Sequence, residues 1–207
     1  MASNEATGSS AGAAQAKADR RAAIRARRRS RAQAPDAADH RATASGALAD
    51  AVAALVAGLA LAALGEVCRV AAYESRPTEP PTDLLITGLQ AEGHEVIVPI
   101  TGPLAEHTLS WRTADGLEDL GEEAIATVQL VLTPGLAVDR SGLRLGQGGG
   151  YYDTALGLVP DGIPVLTLLW DDEVSDTSLP ADPHDRRVDG VVTPGGGVQW
   201  LPLDRGD

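Results

Sequence analysis

Residues 128–170 read VQLVLTPGLAVDRSGLRLGQGGGYYDTALGLVPDGIPVLTLLW, and their pattern is the clearest indication of the fold class. Its two apolar runs, 128–133 and 163–170, are typical of buried strands, and a predicted helix over 151–158 separates them. The same alternation of strands and helices continues along the chain, which is typical of an α/β fold. Continuous apolar strands predict one open, mostly parallel sheet with helices on both faces. Further strands are predicted at 67–73, 95–99, 109–112 and 188–193, and further helices at 17–33, 37–65, 83–92 and 117–126.

A glycine-rich loop, Arg144-Leu-Gly-Gln-Gly-Gly-Gly-Tyr-Tyr-Asp153, lies between the first of these strands and the helix. Glycine lets backbone N–H groups approach a ligand, and consecutive N–H groups form a concave anion site. The Arg144 guanidinium suits phosphate, Asp153 suits the Mg²⁺ of a nucleotide, and the tyrosines offer flat faces to a ring. The loop lacks the Walker A ending and the spacing of a dinucleotide site, so a plain surface loop stays open. With its neighbours, the loop predicts a nucleotide site beside a ring-containing substrate.

The chain of 207 residues suits one domain, and its 43% hydrophobic content is enough for a core of Ala, Val, Leu and Ile. Small polar residues without periodicity predict a disordered tail over 1–16, which leaves 17–207 as the folded domain. The single Cys68 excludes an internal disulfide and favours a reducing cytoplasm. The net charge of −12 argues against general nucleic-acid binding by the folded part.

Nine of the 17 basic residues lie between Lys17 and Arg41. Two interpretations fit this basic block: a solvated helix face that lends cations to an anionic ligand, or an RNA-binding or targeting segment. The uncharged run 51–65 follows the block and is shorter than the ~20 residues of a membrane span. We therefore expect a buried helix there, with neither a secretory signal nor a membrane span.

The segment 132–139 (LTPGLAVD), followed by 142–153 (GLRLGQGGGYYD), resembles the signature of the 5-formyltetrahydrofolate cyclo-ligase family, also called methenyltetrahydrofolate synthetases. Three shorter matches occur in the family's order, and the resemblance covers about residues 17–195. They are Lys17 and Arg21 for Lys-x-x-x-Arg, then Tyr73-Glu-Ser75 with Glu79 and Thr82, and then Pro183-His-Asp185 with Val188-Asp189 and Val191-Val-Thr-Pro194.

The resemblance implies an ATP- and Mg²⁺-dependent ring closure that converts 5-formyltetrahydrofolate to 5,10-methenyltetrahydrofolate, with ADP and phosphate as the other products. Phosphorylation would activate the formyl oxygen, and N10 would then attack the formyl carbon as phosphate leaves. Such chemistry needs positioning and charge neutralisation more than covalent help from the protein. We expect a cytoplasmic monomer whose partners are ATP and a reduced folate, without a membrane or nucleic-acid partner.

The resemblance also implies roles for individual residues. Catalysis is assigned to Arg144 and Tyr151, and Mg²⁺ to Asp153 and Asp185. Glu79 is expected to pair with the amino-pyrimidine edge of the pterin. The ATP site is assigned to Lys17, Arg21, Arg144, Leu145, Gly146, Gln147, Gly148, Gly149, Gly150, Tyr151 and Tyr152. The folate site is assigned to Glu74, Glu79, Gln147, Gly148, Gly149, Gly150 and Tyr151.

These assignments have structural alternatives. Lys17 and Arg21 also fit exposed helix charges, and Glu79 fits an ordinary loop carboxylate among prolines. Tyr152 also fits a core position, and Asp185 fits the cap of a turn.

One stretch departs from the family pattern. Between the third and fourth strands the family carries a Gly-Ile/Leu-x-Glu-Pro segment that helps to cover the folate. Residues 115–126 (DGLEDLGEEAIA) stand there instead and contain no Glu-Pro. A catalytically weakened or inactive nucleotide-binding or regulatory member of the family is therefore the alternative hypothesis. An RNA-binding protein led by the basic block is a third.

Overall fold

The computed structural model describes residues 5–62, 67–102, 106–181 and 186–202. The strands are β1 Arg69–Ala71, β2 Glu95–Thr101, β3 Leu109–Thr113, β4 Leu130–Pro134, β5 Ala137–Asp139, β6 Arg144–Leu145, β7 Val165–Leu168, β8 Val174–Ser175, β9 Gly190–Thr193 and β10 Gly197–Trp200. The helices are α1 Glu5–Ala32, α2 Ala37–Ala62, α3 Asp83–Ala91 and α4 Tyr151–Ala155, with 3₁₀ turns at Glu122–Thr127, Leu156–Leu158 and Asp171–Glu173.

Seven strands form the main sheet in the order β10-β9-β7-β4-β1-β2-β3. The five inner strands run parallel, and β3 and β10 pair antiparallel at the two edges. The register places Val70 of β1 between Val96 and Leu130, and all three side chains are buried. Apolar residues at consecutive positions suit such strands because both faces of a parallel sheet are covered. The predicted α/β fold with an open, mostly parallel sheet is confirmed.

Helices α2 and α3 cover one face of the main sheet. Leu48, Val52 and Val56 follow one another at intervals of four along α2, and all three are fully buried in the core on this face. By length and composition alone, α2 is apolar enough to cross a membrane over Ala37–Ala60, with a mean hydropathy of 1.6. The expected buried helix is therefore found on one face of α2, whereas the opposite face exposes small residues such as Ala54.

The other face of the main sheet is covered by α4 and two of the 3₁₀ turns. Ile97, Trp111, Ile125 and Leu156 are fully buried in the core on this side. This arrangement agrees with the prediction that secondary structure covers both faces. It also leaves the carboxyl ends of β1, β2 and β4 free to contribute residues to a site.

A second, three-stranded sheet was not predicted; its order is β6-β5-β8. Strand β5 pairs antiparallel with β6 and parallel with β8. Ile24 of α1 packs with Leu136, Leu143 and Leu145 in a small core beside this sheet. Strands of two or three residues are too short to show a periodicity in the sequence. The small sheet matters because β6 carries Arg144 and so fixes the start of the glycine-rich loop.

Three local predictions need correction or fall outside the structure. Helix α1 begins at Glu5, so residues 5–16 of the predicted disordered tail are helical, and residues 1–4 lie outside the described residues. Residues 117–121 are not helical, and the 3₁₀ turn that follows begins only at Glu122. Asp185, the second predicted metal ligand, lies outside the described residues.

Candidate functional site

A cavity of about 770 Å³ lies at the carboxyl ends of β1, β2 and β4, between these strands, α1 and the glycine-rich loop. Ligands of open α/β sheets bind at this edge. Within the described part of the chain, every site residue predicted from the sequence lines this cavity. These residues are Lys17, Arg21, Glu74, Glu79, Arg144, Leu145, Gly146, Gln147, Gly148, Gly149, Gly150, Tyr151, Tyr152 and Asp153.

The glycine-rich loop uses backbone conformations that glycine adopts readily. Gly148 has φ +99° and Gly150 has φ +73°, both in the left-handed region. A side chain at either position would strain the backbone, because its Cβ clashes with the neighbouring carbonyl oxygen. The turn at Gly150 leads directly into α4, which begins at Tyr151. The loop conformation therefore explains why glycine occupies these two positions.

The same loop is held from two sides. From α1, Nε of Arg21 donates a hydrogen bond to the carbonyl oxygen of Gly146 at 3.0 Å. From the β2–β3 connection, Nδ1 of His107 lies 2.5 Å from the carbonyl oxygen of Gly149. The His107 ring also meets Tyr151 edge-on, with 6.0 Å between the ring centroids. These contacts bring three distant parts of the chain together around the loop.

Cations line the side of the cavity next to α1 and β6. Lys17 is only 6% exposed and Arg144 only 7%, so both are unusually buried for charged residues. Nη2 of Arg144 donates to Oδ1 of Asp153 at 2.7 Å, and Nη1 donates to the carbonyl oxygen of Pro134 at 3.2 Å. The alternative that Lys17 is an exposed helix charge is therefore wrong. This wall can neutralise an anion with several negative charges.

Glu79 is also buried, with 6% of its surface exposed. Its Oε2 accepts a hydrogen bond from the backbone N–H of Arg76 at 2.9 Å, and its Oε1 accepts one from Nε2 of Gln147 at 3.2 Å. A carboxylate offers about four lone-pair sites, so each oxygen keeps one site for a further donor. The Glu79 carboxylate can therefore still receive two parallel N–H donors from a ligand that enters the cavity.

The segment that carries Glu79 is braced by the rest of the fold. Nη1 of Arg41 donates to the carbonyl oxygen of Glu79 at 2.8 Å, and Nε1 of Trp170 donates to that of Thr78 at 3.2 Å. The hydroxyl of Thr82 donates to the carbonyl oxygen of Tyr73 at 2.6 Å, and the side chain does not cap α3, although Thr82 directly precedes that helix. These bonds fix the backbone of the segment that carries the carboxylate.

Two tyrosine hydroxyls next to the cavity are buried without a hydrogen-bond partner among the described residues. They belong to Tyr73 and Tyr152, two of the residues that line the cavity. Burial raises the pKa of both, and the negative charge of Glu79 raises it further. The Tyr152 ring packs against the core and lies 5.7 Å from the Arg144 guanidinium, so it serves both the core and the cavity wall.

Among the described residues, no group of three or more His, Cys, Asp or Glu side chains could hold a metal ion by itself. Asp153 is 44% exposed at the cavity, and one of its oxygens is paired with Arg144. Mg²⁺ keeps several waters and often takes one or two carboxylates together with substrate phosphates. The donor set therefore fits an ion that arrives with a nucleotide better than a resident one.

The basic block on α1 is largely engaged with the domain. Nε and Nη2 of Arg28 donate to the two oxygens of Glu173, each at 2.7 Å, and Arg28 is only 2% exposed. Nη2 of Arg20 donates to Ser175 at 2.6 Å. A solvated helix face therefore describes the block only in part, because its inward side forms buried and half-buried contacts. These contacts hold Lys17 and Arg21 over the cavity.

Sequence reasoning missed several cavity residues, above all Arg25 and Arg76. A signal for Arg25 was present, because Lys17, Arg21, Arg25 and Arg28 recur every three or four residues and so share one helix face. Arg76 and His107 gave no signal, because each lies in a loop where spacing carries no information.

The match of this chain to a family model agrees with the geometry. Residues 13–194 match the model of the 5-formyltetrahydrofolate cyclo-ligase family. The chain belongs to this family. It is an enzyme of the ligase class, and the family and its relatives indicate 5-formyltetrahydrofolate cyclo-ligase activity.

Similar proteins extend this result. The 5-formyltetrahydrofolate cyclo-ligase of Mycolicibacterium smegmatis is 34% identical over 149 residues, which cover 64% of this chain and 76% of the relative. The cyclo-ligase of Mus musculus is 37% identical over 83 residues, or 37% of this chain and 40% of the relative. The family resemblance inferred from the sequence is confirmed.

Solved structures confirm the fold. A 5,10-methenyltetrahydrofolate synthetase from Mycoplasma pneumoniae superposes with a TM-score of 0.65 at 19% identity, over 84% of this chain and 96% of that one. The NMR structure of the Aquifex aeolicus 5,10-methenyltetrahydrofolate synthetase gives a TM-score of 0.63 at 23% identity, over 92% and 95%. At identities of 19% and 23%, this structural similarity shows that the three proteins share an α/β fold.

Proposed function

We propose that this enzyme converts 5-formyltetrahydrofolate and ATP to 5,10-methenyltetrahydrofolate, ADP and phosphate, with Mg²⁺ bound to the nucleotide. One observation carries the proposal: buried Arg144 and buried Glu79 line the same cavity. A buried guanidinium suits a triphosphate, and a buried carboxylate suits the amino-pyrimidine edge of a pterin. One cavity therefore offers complementary groups to both substrates of the family's reaction.

The nucleotide half of the site comprises α1, β6 and the glycine-rich loop. Lys17, Arg21 and Arg144 supply positive charge, and the backbone from Leu145 to Gly150 supplies a glycine-rich concave surface. Such an arrangement binds phosphate because charge-assisted hydrogen bonds are stronger than neutral ones. Tyr151 and Tyr152 follow the loop and line the wall beside the expected γ-phosphate.

The folate half is formed by the segment after β1. Each oxygen of Glu79 has one lone-pair site left, because Arg76 and Gln147 occupy the others. The 2-amino group and N3–H of a pterin are two parallel donors at the spacing of a carboxylate, so Glu79 can bind them bidentately. Pro99 and Leu109 offer apolar surface to the ring on the β2–β3 side.

The proposed reaction requires little covalent participation by the protein. The formyl oxygen attacks the γ-phosphorus, the bond to the β-phosphate oxygen breaks, and ADP leaves. N10 then attacks the formyl carbon and gives up its proton, the carbon–oxygen bond breaks, and phosphate leaves with both electrons of that bond and takes up the proton. Arg144 neutralises the charge that develops on the transferred phosphoryl group, and Tyr151 positions the two reacting groups.

Bound Mg²⁺ supplies further charge neutralisation on the phosphates. Asp153 is the described residue that would hold it. The role of Asp185 in the same task stays a proposal from the family resemblance.

We also propose that residues 17–207 act as a single ATP- and folate-binding unit, in the form of a cytoplasmic monomer. The support is that both proposed half-sites are formed by one copy of the chain. Membrane and nucleic-acid partners are not part of this proposal.

A second candidate function is a nucleotide-binding or regulatory member of the family without full turnover. The observation that favours it is the segment at 115–126, which lacks Glu-Pro. Leu117 in this segment is 93% exposed and covers no part of the cavity. If no segment covers the folate half of the site, the protein would bind folate weakly.

The methenyl product absorbs in the near ultraviolet, and this property tests the proposal directly. Purified enzyme with 5-formyltetrahydrofolate, ATP and Mg²⁺ should accumulate that absorbance, and omission of ATP should abolish it. Asp172→Asn, an exposed position away from the cavity, is a matched control that should keep full activity. Calorimetric binding of ATP without any product at high enzyme concentration would instead support the regulatory function.

A further inference from the structure

Three residues from separate parts of the chain form a continuous hydrogen-bond chain across the cavity. Nη2 of Arg25 donates to the backbone oxygen of Gln147 at 2.6 Å. Nε and Nη2 of Arg25 also reach the side-chain oxygen Oε1 of Gln147, at 3.3 Å and 3.2 Å. At the other end of the same amide, Nε2 of Gln147 donates to Oε1 of Glu79 at 3.2 Å.

The chemistry of this chain admits only one orientation of the amide. A guanidinium has only donors, and an ionised carboxylate has only acceptors. The amide of Gln147 must therefore place its oxygen toward Arg25 and its nitrogen toward Glu79. The reverse orientation would set N–H groups against N–H groups and oxygen against oxygen. The Gln147 side chain therefore links α1 to the Glu79 carboxylate.

The three residues belong to different halves of the proposed site. Arg25 is on α1, and Gln147 is in the loop that faces the nucleotide. Glu79 is the proposed pterin ligand, 68 residues before Gln147 in the chain. A phosphate that orders the loop also fixes the Gln147 side chain and restricts the Glu79 carboxylate. A carboxylate that is already restricted loses less conformational entropy when a folate binds.

We propose that Arg25 and Gln147 are positioning residues that couple the two substrates, so that each substrate binds more tightly when the other is present. The proposal rests on the function proposed above and adds a role for Arg25 and for the side chain of Gln147. Thermodynamic linkage requires the coupling to be reciprocal. Bound nucleotide should therefore raise folate affinity by the same factor by which folate raises nucleotide affinity.

The test is calorimetric titration of 5-formyltetrahydrofolate with and without a non-hydrolysable ATP analogue, and the reverse titration. For the wild-type enzyme we expect each ligand to lower the dissociation constant of the other by about fivefold or more. Gln147→Leu keeps roughly the size of the side chain and removes its three side-chain hydrogen bonds, so its coupling factor should fall toward one. Arg25→Ala should do the same, and the double variant should lose nothing further, because the two residues act as one unit.

Arg27→Ala is the matched control. Arg27 lies on the same helix and pairs with Asp172 at 3.4 Å, outside the cavity. Its variant should keep the wild-type coupling factor and show that loss of a helix charge alone is not responsible. Thermal melting of each variant checks that the fold is retained.

The outcomes separate this inference from the proposed function. Equal coupling in the wild-type enzyme and in Gln147→Leu would overturn the inference, as would independent binding of the two ligands to the wild-type enzyme. Both results would leave the proposed function standing. Failure of the wild-type enzyme to bind either ligand would overturn the proposed function, and the coupling with it.

Discussion

Arg28 of α1 and Glu173 of the turn after β7 form a bidentate ion pair that is almost completely removed from solvent. Nε to Oε1 and Nη2 to Oε2 both measure 2.7 Å, and the two side chains are 2% and 1% exposed. Burial lowers the pKa of Arg28, but the hydrogen bond and the charge of Glu173 raise it by more, so the guanidinium stays charged. The pair fixes α1 against the body of the protein, and α1 carries Lys17 and Arg21.

Removal of one partner of this pair should destabilise the enzyme strongly. Glu173→Gln would leave the Arg28 charge buried without compensation, which costs about 3–5 kcal/mol. Denaturant unfolding measures the loss. Asp172→Asn is the control, because Asp172 is half exposed and pairs with Arg31 at the surface, so its loss should cost less than about 1 kcal/mol. Similar losses in the two variants would contradict the assignment of a buried, stabilising pair.

Arg144→Ala should weaken the use of ATP. Arg144 is 7% exposed and lines the cavity, and truncation of a buried charged partner costs about 2–4 kcal/mol of ligand stabilisation. The measurement is kcat/KM for ATP, with the KM for folate as an internal reference. An unchanged kcat/KM would show that Arg144 does not contact phosphate.

Asp153→Asn should raise the Mg²⁺ concentration that the reaction requires. Its carboxylate is half exposed, so its pairing with Arg144 is worth less than about 1 kcal/mol, and the fold should tolerate the change. The loss should therefore appear in a metal titration and not in the melting temperature. Superimposable Mg²⁺ titrations for the variant and the wild type would remove Asp153 from the metal site.

The sequence predicts some parts of the fold and of the site but not others, and particular residues show the reason. Apolar runs such as residues 128–133 predicted the main sheet, because burial on both faces imposes a continuous apolar pattern. The glycine-rich loop predicted the nucleotide side of the cavity, because its residue types all suit the binding of a nucleotide phosphate. Arg25 and Arg28 were not distinguished from solvated arginines, because only tertiary contacts separate a buried guanidinium from an exposed one. The small sheet had strands too short to leave a pattern.

Asp139 should make the stability of the enzyme depend on acidity. Burial raises the pKa of Asp139, but hydrogen bonds from the Ser141 hydroxyl and from the amides of Leu179, Leu143 and Ser141 lower it by more. A carboxyl whose pKa is lower in the folded state contributes stability above its ordinary pKa of 3.8 and loses that contribution as the pH falls below it.

The comparison with Asp139→Asn isolates this contribution. At neutral pH the variant should unfold more easily by about 1.5–3 kcal/mol, because hydrogen bonds to a charged acceptor are lost. The difference from the wild type should shrink as the pH falls below the ordinary value of 3.8. A gap that stays constant across that range would mean that the carboxylate charge does not contribute.

Tyr73→Phe should stabilise the unliganded enzyme. The Tyr73 hydroxyl is buried and has no hydrogen-bond partner in the part of the chain that the structure describes. An unpaired buried hydroxyl costs about 1–3 kcal/mol, so its removal should raise the free energy of unfolding by about 1 kcal/mol. The expected rise in melting temperature is about 2–4 °C for a protein of this size.

Tyr151→Phe is the comparison for this prediction. The Tyr151 hydroxyl lies 3.5 Å from the carbonyl oxygen of Gly102 in a half-buried position, so its loss should leave the melting temperature nearly unchanged. A ligand atom or a bound water that accepts from the Tyr73 hydroxyl would reverse the sign for that residue. Destabilisation of the unliganded Tyr73→Phe variant would therefore show that the hydroxyl already has a partner, such as a water molecule bound beside it.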